Sequence, residues 1–236
     1  MKDLIIVTPV KDSLHTTKIT IQSVKEANRD FDYLIYDDYS GEETGSYLKA
    51  NQEKHNYKLI HLSEITDTPS PNYRFVLQDI QKKALEREAG VLLIESDVFV
   101  KPDTISQLFK YANELENCGM LASVTVDDNG EINFPYKYVN NEDPGVFTTT
   151  KRLSFCCTII TYDLLKTIDF KDLNQNKDWY DVFISKTSTK MGFNNYIAKE
   201  LPVIHRPHSS RPWKNLKYEN PLKYYFKKFV QRRDRI

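Results

Sequence analysis

Over the first 110 positions of this 236-residue chain, short apolar runs alternate with longer stretches of helical spacing. Leu4-Ile5-Ile6-Val7, closed by Pro9, has no polar alternation, which predicts a strand covered on both faces. Between Thr16 and Ala27, Ile19, Val24 and Ala27 fall near one face of a helix. Tyr33 to Tyr36 predicts a second buried strand, stopped by the turn-rich Asp37-Asp38-Tyr39-Ser40-Gly41. A helix over Glu43 to Gln52, a strand at Lys58 to Leu62, a helix from Arg74 to Glu88 and a strand at Val91 to Ile94 complete the series. Repeated crossovers of this kind build a mostly parallel sheet with helices on both faces.

Beyond residue 110 the alternation weakens. Met120 to Val126 predicts a strand, Asp127 to Gly130 a turn, and Glu131 to Pro135 its hairpin partner. Leu153 to Tyr162 is one continuous apolar run, Asp163 to Ile168 a short helix, Lys177 to Met191 a longer one, and Asn195 to Ile204 a last strand. No stretch before residue 210 is loose enough to serve as an interdomain linker, so one α/β domain over 1–210 with an appendage over 211–236 is expected.

Charge separates these two parts. Lys plus Arg balance Asp plus Glu at 33 each, which gives no support for nucleic-acid binding by the whole chain. Residues 211–236 nevertheless carry nine Lys/Arg against two acids. Within them, Leu222, Tyr225, Phe226 and Phe229 recur at helical spacing among lysines and arginines, so residues 220–236 predict a basic amphipathic helix. Such a helix can lie on an anionic membrane surface or pack its aromatics on its own domain. No run approaches the roughly 18 apolar residues of a membrane-spanning helix. The opening apolar run is broken by Thr8 and Pro9 and lacks the form of a secretion signal, and Cys118, Cys156 and Cys157 form no disulfide framework. A cytoplasmic, reducing location is expected.

In an open parallel sheet, ligands bind beyond the carboxyl ends of the strands. Here those ends are acidic: Asp37-Asp38 follows the second strand and Glu95-Ser96-Asp97 the fourth. Two carboxylates one residue apart at a strand end can converge on a hard divalent cation that bridges phosphates, or can simply cap the following helix. With seven glycines in all, the chain has neither a Gly-x-Gly-x-x-Gly turn nor a Walker loop. Any bound phosphate must therefore be met by a metal and by side chains.

Five stretches, LIIVTPVKD, YLIYDDYSGEET, VLLIESDVFVKPD, YDVFISKTSTKMGF and PVIHRPH, occur in an order and spacing that resembles the inverting glycosyltransferases of family 2. The resemblance spans about residues 3–208 and implies the GT-A fold, with 1–110 as a nucleotide-binding half and 111–210 as an acceptor-binding half. It implies a nucleotide-sugar donor, most simply a UDP-sugar, and a glycan or lipid-linked hydroxyl as acceptor. It implies Mn²⁺ or Mg²⁺ on Asp97, with Glu95 near the ribose or metal and Ser96 between them. Asp38 would meet the uracil edge, Thr8 and Pro9 would line the base, and Arg74 would face the nucleotide. Asp181, eleven residues before Gly192, matches the family's catalytic base, and His205, thirteen after that glycine, matches a residue of the metal or pyrophosphate site. Asp178 and His208 are the alternatives for these two roles. Glu95 and Tyr180 stand where the family more often has Asp and Glu, which keeps open a second reading, a non-catalytic binding module or assembly subunit. The segment 127–150, with Tyr136, Tyr138 and Phe147, is expected as a mobile flap over the acceptor.

Overall fold

The computed structural model describes residues 1–28, 30–174, 179–207, 220, 222–223 and 225–226. The expected crossovers are present as β1 (Asp3–Val10), α1 (Leu14–Ala27), β2 (Asp32–Asp37), α2 (Glu42–Ala50), α3 (Gln52–His55), β3 (Lys58–His61), α4 (Tyr73–Glu86) and β4 (Ala89–Ile94). β3, β2, β1 and β4 lie side by side in that order, all parallel. Successive residues of β1 feed opposite faces. Ile5 and Val7 pack with Leu77 and Ile80 of α4, whereas Leu4 and Ile6 pack with Ile21 and Val24 of α1. Burial on both faces is why these strands read as unbroken apolar runs.

The second half departs from a simple continuation. β5 (Val98–Phe99), α5 (Thr104–Glu114), β6 (Cys118–Val126), β7 (Val146–Thr148), β8 (Cys157–Ile160), α6 (Tyr162–Thr167), α7 (Tyr180–Lys190) and β9 (Asn194–His205) follow. β8 inserts antiparallel between β4 and β6, β9 runs parallel to β6, and β5 and β7 pair antiparallel with β9. The apolar run 153–162 therefore yields only a four-residue strand. The expected hairpin after β6 reduces to a single bridge between Val126 and Ile132. The expected flap is also corrected. Tyr136 is fully buried in the core, its hydroxyl donating to the Ser154 carbonyl at 3.2 Å and accepting from the Ser154 N–H at 2.9 Å, and Val146 to Thr148 are strand-paired. Asp178, His208 and most of the basic tail lie outside the described residues. Among the described residues no helix is long and apolar enough to cross a membrane.

Gln81 of α4 ties the two halves together. Its Nε2 donates to the Leu165 carbonyl at 2.8 Å and also to the Ile168 carbonyl, and its Oε1 accepts from the Phe170 N–H at 2.8 Å. These groups are buried. Gln81→Leu leaves them without partners, so a loss of about 2–4 kcal/mol in unfolding free energy is expected in denaturant melts. Gln78→Leu, which removes one partly buried bond to the Phe170 carbonyl, is expected to cost about 1 kcal/mol.

Burial pushes the thiols of Cys118 and Cys157 up to about 12, from an ordinary value of 9.0. Because the folded value is raised, their contribution to stability is complete below about pH 9 and declines as the pH rises from there. A stability profile measured from pH 7 to 11 is expected to fall above pH 9, and less so in the Cys118→Ala/Cys157→Ala double variant.

Candidate active site

The parallel pairing brings the carboxyl ends of β1, β2 and β4 to one edge of the sheet. There the loops that follow β1 and β2 are laced together. The Asp12 carboxylate accepts from the Gly41 N–H at 2.7 Å, the Asp12 N–H donates to Ser40 Oγ at 3.0 Å, and Lys11 Nζ donates to the Tyr39 carbonyl. Asp12, Ser13 and Tyr39 hold φ of 55°, 54° and 58°, left-handed values unusual for residues with side chains. Sequence reasoning assigned no role to Asp12. The only signal was an acid directly after the first strand.

Asp38 is buried and fully engaged. One oxygen accepts from Ser70 Oγ at 2.6 Å and the Asn72 N–H at 2.9 Å, and the other from Asn72 Nδ2 at 2.7 Å. It thereby pins the loop that enters α4. Thr8 is fully buried, with its hydroxyl accepting from Tyr33 at 3.0 Å, whereas Pro9 is half-buried. Arg74 lies in the first turn of α4 with its guanidinium 4.7 Å from the Phe75 ring.

The acidic end of β4 meets two other strands. Glu95 N–H donates to the Cys156 carbonyl at 3.0 Å, extending the β4–β8 ladder, and Arg206 N–H donates to the Asp97 carbonyl at 3.0 Å, fixing the end of β9 beside it. His205, 3% exposed, places Nε2 at 3.6 Å from Asp97 Oδ2 while Nδ1 donates to the Phe134 carbonyl at 3.0 Å. That second bond fixes the ring orientation and leaves Nε2 facing the carboxylates. Burial opposes a charge on His205. The Asp97 hydrogen bond and charge, the Glu95 charge and the Phe134 carbonyl together outweigh it and raise its pKa. Ser96 and Asp97 are buried, and Glu95 is half-exposed. The donor atoms of Glu95, Cys156 and His205 lie within 4.8 Å of one another. Burial lifts the Cys156 thiol well above its usual value, and the Glu95 charge adds to that.

Asp181 sits in the first turn of α7, its side chain 3.6 Å from Arg152 Nη1. Arg152 in turn lies 5.7 Å from the ring centres of both Phe134 and Trp179. A continuous path therefore joins the two acids: Asp97 to His205, His205 to Phe134, Phe134 to Arg152, Arg152 to Asp181. On the other side, Asn72 is followed by Tyr73, whose ring stacks on Phe155 at 5.6 Å, next to Cys156. Side-chain and backbone contacts thus link the surroundings of Asp97 to Asp181 through Phe134 and Arg152, and the loop that Asp38 pins leads into Tyr73, which packs beside Phe155. Tyr180 is buried in the core with its hydroxyl donating to the Asn174 carbonyl at 3.2 Å. The aromatic residue in place of an acid there is a packing residue.

A family model for glycosyl transferase family 2 matches residues 5–170. The chain belongs to this family. The matched stretch contains the Asp38 and Asp97 loops, while Asp181 and His205 lie beyond it. No curated protein sequence matches this chain. Among solved structures, S. aureus TarS residues 1–349 superposes with a TM-score of 0.64 at 16% identity, over 86% of this chain and 60% of that one. TarS with UDP-GlcNAc gives a TM-score of 0.64 at 15% identity, covering 88% and 60%. The mannosyltransferase PcManGT from Pyrobaculum calidifontis, with GDP-Man and Mn²⁺, gives 0.62 at 14% identity, covering 96% and 64%. The chain thus spans about three-fifths of the length of these structures, and the likeness is one of fold.

The side chains present suit a divalent cation. Among the described residues, one carboxylate, one thiol and one imidazole, those of Glu95, Cys156 and His205, bring donor atoms within 4.8 Å of one another, with Asp97 Oδ2 beside them at 3.6 Å from His205 Nε2, a donor set compatible with a divalent transition ion such as Mn²⁺.

Proposed function

We propose that this glycosyltransferase moves a sugar, with inversion, from a nucleoside-diphosphate donor to a hydroxyl of a glycan or lipid-linked acceptor. The contact path from Asp97 and His205 through Phe134 and Arg152 to Asp181 is the observation that supports this reading, because it links the cluster of potential cation ligands to a separate carboxylate. In this assignment residues 1–110 hold the nucleotide, with Pro9, the backbone of Thr8, Asp38 and Arg74 around it and Glu95-Ser96 beneath the ribose. Residues 111–210 receive the acceptor.

Asp181 takes the proton from the acceptor hydroxyl as its oxygen attacks the anomeric carbon, and a single displacement inverts that centre. Asp97, Glu95 and His205 would hold Mn²⁺ or Mg²⁺, which supplies positive charge against the diphosphate as it leaves. Phe134 and Trp179 hold Arg152, which keeps Asp181 oriented. The basic segment 220–236 is assigned to an anionic membrane surface. Among its described residues Leu222, Tyr225 and Phe226 are 85%, 55% and 69% exposed, which supports that assignment.

The experiment is a thermal-stabilisation screen with UDP, GDP and dTDP in the presence of Mn²⁺, followed by nucleotide release from the matching sugar donors. Stabilisation by one nucleotide together with turnover supports the enzyme. Stabilisation with no turnover on any donor and acceptor would leave a binding module.

A further inference from the structure

We propose that Cys156 is a direct sulfur ligand of the cation at this site, which therefore favours the later divalent transition ions, and to a lesser degree Mn²⁺, over Mg²⁺. The inference rests on the metal-assisted reading above and adds a ligand to it. β4 and β8 pair antiparallel with Ile94 opposite Cys157, so Glu95 stands opposite Cys156, as its N–H bond to the Cys156 carbonyl at 3.0 Å shows. Residues directly opposite in a ladder project their side chains to the same face. Cys156 Sγ lies 3.4 Å from Glu95 Oε2 and 3.2 Å from Ser154 Oγ, which aims the sulfur at the acidic strand end.

The distances suit one ion. Two ligand atoms on opposite sides of a cation, at roughly 2.3 Å for sulfur and 2.1 Å for nitrogen, stand about 4.4 Å apart. The donor atoms of Glu95, Cys156 and His205 lie within 4.8 Å of one another, so small side-chain movements bring them onto a common centre. The Nδ1 bond to the Phe134 carbonyl commits the other face of His205 to that centre. As the metal–sulfur bond forms, the S–H bond breaks and its proton leaves to solvent. Carboxylate and water ligands alone suit Mg²⁺ well, whereas a thiolate selects softer ions.

The test titrates the full chain with Cd²⁺ and Co²⁺ and follows the ultraviolet sulfur-to-metal charge-transfer band. One equivalent of band is expected in the wild-type protein, abolished by a chelator and absent in Cys156→Ser, with Cys118 and Cys157 retained as internal controls. The preference for Mn²⁺ over Mg²⁺, read from stabilisation midpoints, is expected to fall about tenfold in Cys156→Ser. X-ray absorption at the Co edge of the wild-type protein, showing one sulfur neighbour, gives the same answer without a variant. No band and no sulfur neighbour in a protein that Mn²⁺ still stabilises would overturn the inference and leave the metal-assisted reading standing. A band that persists in Cys156→Ser would also overturn it. Cation binding unchanged by Asp97→Asn would overturn the underlying reading itself.

Discussion

Asp181→Asn is expected to lower sugar transfer by about a thousandfold while leaving nucleotide binding untouched, since a positioned general base contributes roughly 10²- to 10⁴-fold. The amide has the shape of the carboxylate but cannot accept the acceptor's proton. Its oxygen can still receive the Val182 N–H, which Asp181 Oδ1 accepts at 2.8 Å, so the first turn of α7 keeps its local bond. What is lost is the charge 3.6 Å from Arg152, a pair with the Asp181 side chain 18% exposed and so partly screened by water. Stability should therefore change by less than about 1 kcal/mol, and the fall in kcat should appear without a rise in the KM for the donor. Nucleotide release with a fixed donor and saturating acceptor makes the measurement, with UDP-induced stabilisation as control. Activity within tenfold of wild type would remove Asp181 from the base role, and Asp178→Asn measured alongside would show whether the neighbouring acid carries it.

The spacing that singled out Asp181 has a structural basis. Asp181 begins α7, Gly192 takes φ +89° in the turn that ends it, and His205 closes β9. A helix, a tight turn needing a left-handed residue and one strand fix the residue count between these points. The first four strands were legible for a similar reason, because strands covered on both faces leave uninterrupted apolar runs. β5 and β7, of two and three residues, are too short to leave any pattern. The apolar run 153–162 concealed a break. Residues 153–156 serve Tyr136, Glu95 and α7 through their backbone, and only Cys157 to Ile160 join the sheet.

Within the site, parity along β1 already placed Thr8 on the side of Leu4 and Ile6, toward α1, and its burial against Tyr33 follows from that count. The contribution of Cys156 was not legible. It depends on β8 lying antiparallel beside β4, a pairing between segments some sixty residues apart that no local pattern encodes. The same holds for Phe134, which reaches His205 through its carbonyl and Arg152 through its ring. Acids at strand ends could be found by position, but the groups that orient them come from across the sheet.

Asp38→Ala is expected to cost about 3 kcal/mol of unfolding free energy, because it removes a buried acceptor from the buried N–H and side-chain amide of Asn72. The carboxylate takes Ser70 Oγ at 2.6 Å, the Asn72 N–H at 2.9 Å and Asn72 Nδ2 at 2.7 Å. Ser70 can rotate its hydroxyl to another partner, but the Asn72 N–H is fixed by the backbone entering α4. At roughly 2–4 °C per kcal/mol for a domain of this size, Tm is expected to fall by about 6–12 °C. Ser70→Ala removes one donor and strands no acceptor oxygen, since Asp38 keeps both bonds from Asn72, so about 1 kcal/mol is expected. The gap between the two variants measures how much of the loss comes from the orphaned Asn72 groups. Because Asn72 leads into Tyr73, stacked on Phe155 beside Cys156, loosening this loop also loosens the surroundings of the Glu95–Cys156–His205 cluster. UDP and Mn²⁺ should then stabilise Asp38→Ala less than wild type, and Ser70→Ala nearly as well as wild type. Equal stabilisation of all three proteins by UDP and Mn²⁺ would mean that the Asp38 loop supports the fold but takes no part in holding the donor.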